Sequence, residues 1–436
     1  MKRPLPPLGR RSMLLGGAAS SIVATTGCSA YNMASDHEYG SCYDREYLVA
    51  RGQDNCWPGI GTPTDLAWHL RGMLVPNAWE HSMRFGRASH GAGILIGHVD
   101  TGVAEHEALN GAILWDRGYD FVDNVSGGYD PLVNHIEYLE QIGHGTATAS
   151  VIVSRGDVAT LQFTPDRERS RPAKGDDRRI PQELKEIGPQ RKPDDKEESF
   201  KNQTPGICNG TSGFGQISGV APAAHLIPTR AFRLAATRNL DVVARAVDYL
   251  VRQDVHVITL ALGWLFTSRA LTDAIKRAIH ANKIVLAAAG NFVPWVVFPA
   301  NEGDAIAVAG LGPDDKPWCG GSTGKAVTIS AYGDKVWRAY RDEKSNRLDV
   351  IGPRFGTSFA VSMTAGVAAL WLAHHGPGRL IQDNRHKNLQ EAFRAALIRT
   401  ARKPSKWDEK YHGALGAGIV NALALVSEDD PTKRLS

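Results

Sequence analysis

Asp100-Thr101-Gly102, Gly143-His144-Gly145-Thr146 and Gly356-Thr357-Ser358 occur in that order along the chain. They supply a carboxylate, an imidazole and a hydroxyl, each beside small residues that let the backbone turn tightly. That is the inventory for making a serine nucleophilic: the imidazole takes the hydroxyl proton and the carboxylate orients the imidazole. The order Asp, His, Ser is informative. The same three groups are threaded His, Asp, Ser in trypsin-like chains and Ser, Asp, His in α/β-hydrolases.

Each group needs an element to hold it. Ile94 to Val99 reads as a buried strand, and Asp100 stands where it ends. Sites in open α/β sheets form beyond the carboxyl ends of strands, and a buried carboxylate requires a partner. His144 opens a small-residue helix over Thr146 to Val153. Ser358 precedes Phe359 to Ala373, a stretch almost without charge that predicts a buried central helix. A serine in its first turn sits near unpaired N–H groups and the positive end of the helix dipole. Ile284 to Ala289 reads as a strand ending in Gly290-Asn291, whose side chain can donate to a developing oxyanion. Taken singly, each has a plainer explanation: a turn Asp, a packed His among 15, an N-cap Ser, a turn Asn. In this order, each at an element end, they reinforce one another.

The wider pattern supplies a scaffold. Further apolar runs at Val255 to Leu260, Ala305 to Ala309 and Ala326 to Ile329 read as buried strands. Leu240 to Val251, Ala270 to Ala281 and Leu389 to Ala401 read as amphipathic helices between or after them. Strand and helix in alternation predict an α/β fold, a doubly wound parallel sheet with helices on both faces. The chain of 436 residues is 42% hydrophobic and 22% charged, ordinary for a soluble protein. Its net charge of +4 is too small to argue for nucleic acid as a partner.

On these residues the chain resembles the subtilisin-like serine proteases, peptidase family S8, from about Trp68 to Ala424. The stretches around Asp100, His144 and Gly356-Thr357-Ser358-Phe359-Ala360 match the three family signatures. Ala289-Gly290-Asn291 matches the oxyanion asparagine. Gly219-Val220-Ala221-Pro222 and Phe298-Pro299-Ala300 match landmarks between them. Trp68-His69-Leu70 with Ala78-Trp79 resembles the opening of the domain, and Gly416 to Ala422 its close. The resemblance implies a serine endopeptidase with an Asp100-His144-Ser358 triad and Asn291 in the oxyanion hole. Extended substrate would lie along Ala261-Leu262-Gly263, near Gly290, where the family has Ser-Leu-Gly. There are departures. Ser362 stands where the family usually has Pro. His98 stands in the Asp100 strand where an apolar residue is usual, and is expected to be a core histidine with a partner. Trp264 replaces a small residue and could narrow the first specificity pocket. No cofactor is required; structural calcium is common in the family, and Asp120, Asp123 and Asp130 are candidate ligands at no diagnostic spacing.

Residues 1–28 read as an export signal, with Lys2, Arg3, Arg10 and Arg11 ahead of an apolar run from Met13 to Ala24. Arg10-Arg11 resembles a twin-arginine signal, and Gly27-Cys28 the end of a lipobox, so Cys28 is the expected lipid anchor in a bacterial envelope. The alternative is a cleaved signal and a soluble exported protein. Residues 29–57 form a polar linker, too short for the family's usual pro-domain, so maturation is expected mainly by signal removal. Residues 58–427 are the expected peptidase domain and 428–436 a tail. With Cys28 spent on lipid, four cysteines remain; Cys42 with Cys56 and Cys208 with Cys319 is the first pairing of three to consider. Residues 155–203 carry 23 charged residues in 49 and read as a solvated surface insertion. A monomer acting on peptide or protein is expected. Gly320-Gly321-Ser322-Thr323-Gly324 fits G-x-S-x-G but lacks the strand before and helix after. Gly210-Thr211-Ser212 repeats the nucleophile tripeptide without a buried helix behind it. A non-enzymatic scaffold keeping this fold would be expected to carry a broken triad.

Overall fold

The computed structural model describes residues 62–132, 142–156, 211–212, 217–234, 237–341, 347–383, 385–404, 407, 411 and 413–435. The expected export signal and linker, with Cys28, Cys42, Cys56, Cys208 and nearly all of the charged segment 155–203, lie outside the described residues.

Helices α1 (Trp68–Gly72) and α2 (Val75–Arg84) lead into β1 (Leu95–Asp100). Short strands β2 (Tyr119–Asp120) and β3 (Val125–Ser126) precede α3 (His144–Val153). Then come β4 (Thr211–Ser212), β5 (His225–Arg230), α4 (Leu240–Arg252), β6 (Val257–Leu260), α5 (Arg269–His280) and β7 (Ile284–Ala288). They are followed by β8 (Ile306–Leu311), β9 (Ile329–Tyr332), β10 (Val336–Ala339) and β11 (Val350–Arg354). Helices α6 (Thr357–His375), α7 (Pro377–Gln382), α8 (Leu389–Thr400) and α9 (Ala422–Val426) complete the described chain.

The main sheet runs β3-β2-β5-β1-β6-β7-β8-β9, parallel except for the β2–β3 edge pair. The fold is the expected α/β sheet covered on both faces. Gly97 faces Leu250 of α4, while the next residue, His98, meets Thr148 of α3; successive residues of a strand point to opposite faces. β1 lies between β5 and β6, so the chain winds one way from β1 and then the other. That reversal leaves a crevice at the carboxyl end of β1, where Asp100 stands.

Helix α6 is buried along all 19 residues. Its length and composition would suit a bilayer, but its whole length lies in the core, against α3 and strands β6 to β9. Ser362, at the position of the family's proline, is buried with no hydrogen-bond partner for its hydroxyl. Helix bounds fall within two residues of those read from the sequence.

Strands were less legible. The run Ala326 to Ile329 only leads into the strand, leaving a turn closed by Val327 N–H on the Gly324 carbonyl, and the strand itself lies over Ile329–Tyr332. Its polar members hid it: Ser330 Oγ donates to the Leu415 carbonyl and Tyr332 to Asp315 at 2.6 Å. β5 was masked by Pro228. A proline is tolerated there because β5 pairs with β2 only over Thr229 and Arg230, just beyond it. β10, β11 and β4 form a separate antiparallel sheet in which Ser212 pairs with Val350.

Candidate active site

β1 delivers Asp100 fully buried, and α3 delivers His144 beside it. His144 Nδ1 lies 2.6 Å from Asp100 Oδ1. The close approach of the two elements depends on Gly145, where a Cβ would overlap the Gly102 carbonyl. Gly145 N–H donates to Thr101 Oγ1 at 3.0 Å, locking the helix start to the end of the strand. Asp100 Oδ1 also accepts from Thr101 N–H at 2.7 Å, and Oδ2 from Thr148 Oγ1 at 3.0 Å. Burial alone would raise the Asp100 pKa. The His144 ring, by charge and hydrogen bond, with His98 and the Thr101 N–H, outweighs burial and holds it below the ordinary carboxylate value.

Ser358 is the second residue of α6 and 6% exposed. Its hydroxyl donates to the Ala261 carbonyl at 3.3 Å, not to His144. Serine–imidazole hydrogen bonds are often loose or absent before substrate arrives, and a rotation about the Ser358 Cα–Cβ bond redirects the hydroxyl. The contact also places Ala261, the first residue of the predicted substrate stretch, against Ser358.

Asn291 follows β7 and reaches across to α6. Its Oδ1 accepts from Thr357 N–H at 3.0 Å and Thr357 Oγ1 at 2.8 Å. A side-chain oxygen from another element thus caps the helix whose backbone N-cap is Gly356. With Oδ1 engaged, Nδ2 is the free end of the amide. It lies 3.6 Å from where a Cβ on Gly356 would stand, and the Ser358 backbone nitrogen lies 3.8 Å from that same point. Two donors therefore flank one small space, and the missing side chain of Gly356 keeps it open.

Gly263 and Gly290 lie on either side of Val297. A Cβ on Gly263 would collide with Val297 Cγ2, and one on Gly290 would come within 2.9 Å of it. Trp264, expected to narrow the pocket, pairs its backbone with Phe298 and has Arg238 over its ring at 5.4 Å. Sequence reasoning missed Val297, since a valine in an apolar run carries no signal. Thr148 was missed too, read only as a small helical residue.

The other candidates are placed as follows. Ser322 is buried behind Gly290 and donates its hydroxyl to the Val293 carbonyl at 2.8 Å, while Ser212 belongs to the separate three-stranded sheet. Asp120 and Asp123 meet on one nitrogen of Arg230, and Asp130 is engaged by Thr101 instead. Asp120 accepts from Arg230 at 2.7 Å, Asp123 binds Arg230 and Arg233, and Asp130 accepts from Thr101 at 3.0 Å. Among the described residues, no group of three or more potential metal ligands is found. Cys319 is buried.

The class follows from fold and site together: this is a serine-type endopeptidase. A model of the subtilase family matches residues 91–418, and the chain belongs to that family. Thermitase of Thermoactinomyces vulgaris is 26% identical over 304 residues, covering 69% of this chain and 80% of thermitase. Minor extracellular protease Epr of Bacillus subtilis (strain 168) is 21% identical over 305 residues, which is 70% of this chain but 35% of Epr. Among solved structures, a protease of Pseudoalteromonas arctica PAMC 21717 superposes with a TM-score of 0.58 at 21% identity. The match covers 84% of this chain and 99% of that one, and it is a likeness of fold.

Proposed function

We propose that the chain is an exported endopeptidase that cleaves peptide bonds through an acyl-enzyme on Ser358. The observation that carries this reading is the 2.6 Å contact of His144 with a fully buried Asp100, at the carboxyl end of the sheet where α6 presents Ser358. In the proposed cycle Ser358 Oγ attacks the substrate carbonyl carbon while its proton passes to His144 Nε2. Asp100 orients the ring and stabilises its charged form. The oxyanion is held by Asn291 Nδ2 and the Ser358 N–H. The C–N bond then breaks as His144 protonates the leaving amine, and water releases the acyl group by the same steps in reverse. No cofactor is needed for any step. Substrate backbone is expected to pair along Ala261, Leu262 and Gly263, with Gly290 opposite.

Export is supported by the leader, by the name of the extracellular relative, and by the anchor motif at Cys28. A fluorophosphonate probe tests the chemistry. Labelling should be lost in Ser358→Ala and retained in Ser322→Ala; no labelling of folded wild-type protein would end the reading. A globomycin-sensitive change in size would support the lipid anchor, and a mature form without lipid would end that part alone.

A further inference from the structure

Two residues behind the triad are matched to it by position. His98 precedes Asp100 by two residues on β1, so both side chains leave the same face of the strand. Thr148 follows His144 by four on α3, so both lie on one face of the helix. Packing the two faces together sets one pair against the other. His98 Nε2 lies 2.9 Å from Thr148 Oγ1, which lies 3.0 Å from Asp100 Oδ2. The other oxygen of that carboxylate holds His144. All but the His144 ring is fully enclosed.

The proton positions follow from charge. Burial, working against the attraction of Asp100, holds His98 neutral with a pKa of about 4. Its Nε2 faces Asp100 Oδ2 at 3.6 Å, whereas Nδ1 has no hydrogen-bond partner. A nitrogen that close to a carboxylate carries the hydrogen, so Nε2–H is a donor and Nδ1 the unpaired acceptor. Thr148 Oγ1 then accepts from His98 and has its one hydrogen to give. The His144 and Gly145 carbonyls, at 3.1 and 3.2 Å, compete with Asp100 for it. Asp100 carries the full charge and is the nearest of the three, so it takes the hydrogen.

We propose that His98 is a positioning residue of the reaction, acting through Thr148 to fix the Asp100 carboxylate and temper its charge. The proposal rests on the triad reading above. A carboxylate bound at both oxygens cannot swing, so Oδ1 stays on His144 Nδ1. The bond at Oδ2 also disperses negative charge, which keeps Asp100 from over-stabilising the protonated imidazole. Without it, the ring of His144 is less well placed and Asp100 faces it with its charge undispersed.

The test is the pH profile of kcat/KM for the full chain, normalised by fluorophosphonate titration. Thr148→Val and His98→Leu should each lower kcat by about tenfold or more with little change in KM. The acid limb should move up by about half a pH unit or more. Thr148→Ser and His98→Gln should restore both, and the double variant should be no worse than Thr148→Val alone. Among the described residues, Asp100 and His98 from β1 are set against His144, and Arg341 lies against Gly143 just ahead of it; the first turn of α6 carries no charged residue. Asp130, linked through Thr101, is raised to about 6 chiefly by burial, and its charge also acts on Asp100. The series is therefore repeated in Asp130→Asn, where the shift should persist. Folded, probe-labelled Thr148→Val with a wild-type pH profile and only a lower Tm would overturn the proposal and leave the triad reading intact. Wild-type protein that takes no label would overturn both. Should His98→Leu not fold, Thr148→Val, equal in volume, decides.

Discussion

Asn291 Oδ1 accepts two hydrogen bonds from Thr357, one from its N–H and one from its hydroxyl. The amide is thereby fixed with Nδ2 outward before any substrate arrives, which is the preorganisation that makes such donors effective. Asn291→Leu should lower kcat by about 10²–10³ with little change in KM. Thr357→Val, which removes the hydroxyl but leaves the N–H, should lower kcat by about tenfold. Equal kcat for wild type and Asn291→Leu would remove Asn291 from the oxyanion site.

Gly356 keeps the same space open. Its φ of 143° is a conformation that side-chain-bearing residues rarely adopt. A Cβ there would stand 3.6 Å from Asn291 Nδ2 and 3.8 Å from the Ser358 nitrogen, where the oxyanion would lie. Gly356→Ala should lose both catalysis and fluorophosphonate labelling by about 10² or more, since the probe's phosphoryl oxygen needs the same space. Stability should fall by about 1–2 kcal/mol from strain. Labelling at the wild-type rate would place the oxyanion elsewhere.

The candidate catalytic groups were legible because each lies at an element end near glycine, and chemistry restricts the residue types allowed. His144, Asp100 and Ser358 needed only order and neighbours. What the sequence hid was whatever depended on another element. β9 and β5 were obscured by Ser330, Tyr332 and Pro228, whose polar groups or missing N–H are accommodated by distant partners. Thr148 and His98 lie 50 residues apart, and nothing local in either predicts their 2.9 Å contact. Likewise nothing local in Asp120 or Asp123 predicts that both meet Arg230, 110 and 107 residues away.

Val297 fills the slot between Gly263 and Gly290, and should limit the substrate side chain accepted on the acyl side of the scissile bond. Removing two methyl groups by Val297→Ala opens that slot. The preference should move toward larger side chains by about tenfold or more in kcat/KM. Cleavage of a peptide library by both proteins measures it. An unchanged profile would mean that the accepted side chain lies outside this slot.

Four buried histidines predict acid lability. His69, His98, His374 and His375 are each lowered to about 4, with burial the leading cause in every case. In the unfolded chain they bind protons near their ordinary value of about 6.5. Between there and 4 the unfolded state holds the extra protons, so their stabilising contribution is complete above about 6.5 and is lost as pH falls. Asp130 acts oppositely. Raised to about 6, chiefly by burial, it is protonated first in the folded state and offsets about one histidine. The depressed carboxyl of Asp100 adds a further loss only below its ordinary range. Each uncompensated proton is worth about 1.4 kcal/mol per pH unit. Urea unfolding of Ser358→Ala, which should not digest itself, is expected to show stability falling steeply from pH 6.5 toward 4. His69 has neither ring nitrogen hydrogen-bonded, so His69→Phe should make that slope shallower and raise stability at pH 7 as well. Stability that stays level from pH 7 to pH 5 would mean that these rings take up protons without unfolding the chain.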